Sequence, residues 1–270
     1  MAGVILFGPL LLQGYFLLSS RAVLAGGLMP NMDQFAAFQG TLPGYLCAAA
    51  ISGSWAGIVA LVAGTLSPIP LTRRLGLGRS RLGRLAWIIV PLGALGLNQA
   101  IDAAFELSGF GHGAELQSML SALAGARGAM LASAVLIVGA LSATCEELFF
   151  RGYLQRRLVA RFGPAAGIVV ASLLFGIAHW DVHHSLFAFS FGLFVGLASW
   201  AADSLWPAVL AHVVNNTVAV LALVLGLDFE KPWVALVTGV LACALASAWI
   251  LRRGPRRAQA PPQVPETSFA

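Results

Sequence analysis

Glu146, Glu147, Arg151, Phe175, His179, His212 and Asn216 are the residues of this 270-residue chain whose types and spacing could do chemistry. The glutamates are adjacent in "CEELFFRGYLQRRL", residues 145–158, at the end of an apolar run. A carboxylate inside a membrane helix costs a few kcal/mol or more, so such groups face a cavity or pair within the protein. Helical spacing separates the two. Glu147 and Arg151 stand at i and i+4, acid before base, on one face. Glu146 points about 100° away and meets Phe149 and Phe150 at its i+3 and i+4 positions. Glu147 is therefore expected to hold Arg151, leaving Glu146 without a basic partner on its own helix. The bland alternative is a pair of solvated glutamates at a helix end.

Two further stretches shift that balance. In "AAGIVVASLLFGIAHW", Phe175 and His179 are at i and i+4. Gly and Pro in "RFGP", residues 161–164, supply a chain reversal between this stretch and the glutamates. Glu146 is about sixteen residues before the Phe162–Gly163 bend and His179 about sixteen after it. At 1.5 Å per residue both lie roughly 24 Å of helix from the bend, so a carboxylate and an imidazole should face each other. In "LAHVVNNT", His212 and Asn216 share a helix face, and Asn215 could serve in place of Asn216. Asn and His also join helices in bilayers, so this third stretch is weak alone. His183 and His184 are expected to be solvated in a short external turn, and His112 is expected to be a loop residue.

The elements that position these residues follow from composition. The chain is 59% hydrophobic and 10% charged, with mean hydropathy +0.84, whereas soluble domains carry about a quarter charged residues. Apolar runs long enough to cross a bilayer recur. The expected fold is all-α, a polytopic membrane bundle of about eight helices at roughly 3–20, 45–70, 85–107, 128–157, 165–181, 185–203, 205–227 and 233–251. The first contains Gln13, and no basic residue precedes Arg21, which disfavours a cleaved signal peptide. Residues 1–251 are read as one transmembrane domain, with 128–227 bearing the motifs. Residues 252–270 are read as a basic, Pro-rich, disordered tail without a prenylation box.

Thirteen of the sixteen basic residues, Arg151 included, would fall on one side of eight spans, opposite Arg21, Arg127 and Lys231. The positive-inside rule then puts both termini in the cytoplasm. The pI near 9.7 reflects headgroup contacts and implies no nucleic acid. Cys47, Cys145 and Cys243 lie within spans and form no disulfide framework. Cys145 is expected to fill a helix contact, and Gly192 with Gly196 to allow close helix packing.

The ordered trio "EELFFR", "FGIAH" and "HVVNN" resembles the CAAX protease and bacteriocin-processing family, intramembrane proteases like the type II CAAX prenyl endopeptidases. The resemblance covers residues 140–225. It implies an eight-helix bundle whose catalytic residues line a membrane cavity open to the cytoplasmic side, with the first Glu catalytic and the second paired to the Arg. It also implies hydrolysis by a water activated at Glu146, with His179 orienting the water or passing a proton. Asn216, with His212 beside it, would stabilise the oxyanion. Glu146, His179 and His212 could alternatively ligate catalytic zinc; the family resemblance favours a metal-independent reading, with no cofactor. H-E-x-x-H, G-x-S-G and paired-aspartate signatures are absent. A catalytically idle scaffold or immunity protein and a transporter are the other readings, the last disfavoured by the lack of inverted repeats. The expected partners are the lipid bilayer and a membrane-anchored protein or peptide substrate. The Arg-rich, Lys-poor composition suggests a bacterial inner membrane. Oligomeric state is not legible.

Overall fold

The computed structural model describes residues 41–110, 113–179, 181–227 and 231–254. The expected first span, Arg21, His112 and the tail beyond residue 254 lie outside them. All regular structure among the described residues is helical. Helix α1 spans Leu42–Thr65 and opens on Thr41, whose Oγ1 accepts from Gly44 N–H. A short α2, Leu71–Arg74, precedes α3, Ala86–Ser108; α4 is Ala114–Leu123. The long α5 runs Gly128–Phe162, followed by α6 (Pro164–Ile177), α7 (Val182–Ala202), α8 (Trp206–Leu225) and α9 (Pro232–Arg253). Six of these, α1, α3, α5, α7, α8 and α9, are long and apolar enough to cross a membrane.

The sixth, α6, has 14 residues, about 21 Å of helix. The expected fifth span, 165–181, is therefore corrected: the helix stops at Ile177, and His179 sits in the following turn with its N–H bonded to Gly176 O. Leucines and valines such as Val62, Leu136, Leu173 and Leu245 are exposed. An apolar exterior around small buried residues is what a bundle in lipid requires.

Close approach is set by glycine. A Cβ on Gly53 or Gly57 would come within 2.7 Å of Ser142 Oγ or Cys145 Sγ, so this i, i+4 pair lets α1 lie directly on α5. Gly192 and Gly196 do the same for α7, where Arg151 and Gln155 of α5 lie across them. Between α5 and α6, Gly163 takes φ 81, a conformation that favours glycine, and Pro164 begins the next helix.

At one end of the bundle, residues 66–85, the end of α5 and the α7–α8 turn are tied together. Asp203 takes Arg81 at 2.6 Å and Arg156 at 3.1 Å, and Ser204 Oγ donates to Gly78 O. This end gathers the described surface arginines apart from Arg127. Arg151 is not among them: it is 1% exposed, within the core, so it does not count toward sidedness.

Candidate active site

The stretch that carries the glutamates, Ala143–Glu147, is α-helical and flanked by π-helical turns at Val135–Ser142 and Leu148–Gln155. Wide turns of this kind recur at functional sites because they re-aim side chains without ending the helix. Neither was legible in the residue pattern.

Glu147 is fully buried, and its Oε1 accepts from Arg151 Nη1 at 2.7 Å, as the i, i+4 spacing predicts. The same oxygen lies 2.8 Å from His212 Nδ1, a partner from α8 that helical spacing alone does not reveal. A carboxylate that faces a guanidinium only accepts, so His212 Nδ1 donates to it and Nε2 is the nitrogen left over. That Nε2 is 3.9 Å from Glu146 Oε2, so the basic neighbour of Glu146 comes from α8 and not from its own helix. The gap exceeds a direct hydrogen bond and suits a bridging water. Glu146 is 24% exposed, in contrast to its neighbour.

His179 is fixed in the same way. Its Nδ1 is 2.8 Å from Phe175 O, a carbonyl that can only accept, so Nε2 is again the free nitrogen. Phe175 is buried between the partners: its ring meets those of His179 (4.9 Å) and His212 (6.0 Å) edge-on, and Arg151 lies 4.3 Å above it. Phe150 and Phe175, equally distant in sequence from the Phe162–Gly163 bend, have ring centroids 4.8 Å apart. The α5–α6 hairpin thus brings equal heights together, one helical turn short of Glu146 and His179.

His183 and His184 are not in a solvated turn. Asp181 caps α7 through Oδ1 and His184 N–H, so both histidines lie in its first turn. The His184 ring is 4.1 Å from that of His179, and His183 bonds Phe110 O. His184 also stands in electrostatic reach of Glu146. The sequence signal for it is its position five residues after His179, across one cap. Asn216 Nδ2 donates to Val138 O in the first π-helical stretch at 3.3 Å, leaving its second N–H. Asn215 is more deeply buried, donates to Asn216 Oδ1 at 3.4 Å, and leaves its own Oδ1 without a partner.

Among the described residues no group of three or more His, Cys, Asp or Glu side chains is placed to hold a metal ion. Glu146, His179 and His212 do not form such a group. Cys145 packs against Gly57, and the three cysteines are free thiols.

The model of the type II CAAX prenyl endopeptidase Rce1-like family matches residues 128–218, from the start of α5 into α8. The match supports membership of that family. It covers Glu146, Glu147, Arg151, Phe175, His179, His184, His212, Asn215 and Asn216. No curated protein and no solved structure gives a significant match. The apolar helices and the family match together support a multi-pass integral membrane protein.

Proposed function

We propose that the protein is a glutamate-type intramembrane endopeptidase that hydrolyses a peptide bond of a membrane-associated protein or peptide. One observation carries this reading: Glu147 Oε1 anchors both Arg151 and His212 Nδ1, so His212 Nε2 is turned toward Glu146 with room for a water. Glu146 takes a proton from that water as its oxygen attacks the scissile carbonyl carbon. The oxyanion then accepts from the remaining Asn216 N–H. In this reading His212 Nε2 orients the water beside Asn216. As the C–N bond breaks, a proton passes from Glu146, directly or through His179 Nε2, to the leaving amine. The products are a carboxylic acid and an amine, which leave as carboxylate and ammonium once the acid proton has passed between them, and the site returns to its starting protonation.

Comparative membrane proteomics of wild type and a Glu146→Gln strain tests the activity: an uncut precursor should accumulate only in the variant. Identical peptide termini in the two strains would refute the proposal. We also propose that the reaction needs no metal ion, so purified enzyme stripped with a strong chelator should keep its activity on that precursor. Loss on chelation with recovery on adding zinc would overturn this part.

A further inference from the structure

Away from the candidate active site, a cavity of about 410 Å³ opens at the arginine-rich end, walled by Arg73, Arg74, Arg156, Arg157, Arg161 and Ile69. Arg156 pairs with Asp203, which Arg81 shares. Among the described residues no carboxylate lies within ion-pair distance of the other four, so their charges repel with nothing between them. Two of the four are held in place by Tyr153, which is buried: Arg157 lies 5.0 Å and Arg74 5.8 Å from its ring centroid, and Arg157 Nη1 also bonds its hydroxyl. Arg74 Nε is itself buried without a hydrogen-bond partner. A preformed fork of guanidinium donors of this kind matches the oxygens of a phosphate. Ile69 in the wall is exposed, as is Phe162 next to Arg161, so an anion here has apolar surface beside it.

We propose that this cavity binds a phosphate group at the membrane surface. Both an anionic phospholipid headgroup and a free phosphate offer that chemistry. The flanking apolar residues favour the lipid, whose chains would run down the exposed helix faces. Basic pockets between transmembrane helices are known to hold such headgroups.

The test uses the full chain in detergent, with phosphatidylglycerol and inorganic phosphate as separate probes and native mass spectrometry as the readout. Arg73→Gln/Arg161→Gln changes exposed side chains that do not stack on Tyr153, so folding should be unaffected. Its retention of phosphatidylglycerol should fall roughly tenfold, the effect of losing one good ionic contact. Arg252→Gln/Arg253→Gln removes the same charge from the same end and should retain the lipid as wild type does. Equal losses in the two variants would mean general surface charge and would overturn the proposal. Should the first variant misfold, inorganic phosphate competing phosphatidylglycerol off wild type serves instead. Phosphate binding without lipid retention assigns the site to the free anion, and binding of neither probe overturns it.

Discussion

Glu147 Oε1 serves Arg151 and His212 at once, so this carboxylate balances a buried cation and sets an imidazole tautomer. Glu147→Gln leaves Arg151 charged without a counterion where water is scarce, which costs about 3–5 kcal/mol. The expected result is low yield of folded protein and a lowered melting temperature, with His212 free to turn. Glu146→Gln removes a proton acceptor and keeps the shape, so folded yield should match wild type while cleavage is lost. If the two variants behave alike in both assays, the division between them is wrong. Asn216→Ala deletes a donor that acts chiefly in the transition state, so turnover should drop by about 10²–10³ with little change in substrate affinity. A larger turnover loss in Asn215→Ala would move the oxyanion role to the more buried amide.

The α5–α6 hairpin sets which heights meet. Cysteines at 146 and 179, in a background lacking Cys47, Cys145 and Cys243, should join through a short bis-thiol reagent, since packed helix axes lie 8–10 Å apart. The pair 146 with 177 should react poorly, because Ile177 is exposed on the outer face of α6. Failure of the first pair in folded protein would break the hairpin register. This hairpin was legible because "RFGP" marks the bend and heights follow from residue counts. Pairing of Glu147 with Arg151 was legible too, being local. What escaped was non-local or depended on helix shape: His212 reaching Glu147, the π-helical turns around the glutamates, and His184 folding back on His179. The end of α6 was misplaced because Ala178 and His179 continue an apolar helical pattern, whereas the chain leaves the helix at Ala178. Gly53 and Gly57 carried a readable spacing whose partner, α5, no local pattern could name.

For the molecule as a whole, the arginine-rich end and the His179 turn lie at opposite ends of α6. With both termini proposed to be cytoplasmic, arginine asymmetry favours the cytoplasm for the first end, whereas the resemblance drawn from the motifs implies a site that opens there. Reporter fusions after Arg84, Arg157 and Arg257 should all report cytoplasm. A uniform opposite result would turn the bundle over and bring the His179 turn to the cytoplasmic face. A mixed result would break the eight-span arrangement. Helix α6 has one more consequence. It presents Val169, Val170, Leu173, Leu174 and Ile177 outward, yet it is about 9 Å shorter than a hydrocarbon layer of about 30 Å. Lipids bordering it must compress, at fractions of a kcal/mol per ångström, about a few kcal/mol in all. The protein therefore acts on its solvent as well as in it, and should work faster in bilayers of 14-carbon chains than in those of 20-carbon chains. Equal rates in vesicles of the two lipids, at equal protein incorporation, would show that neighbouring helices and not lipid absorb the mismatch.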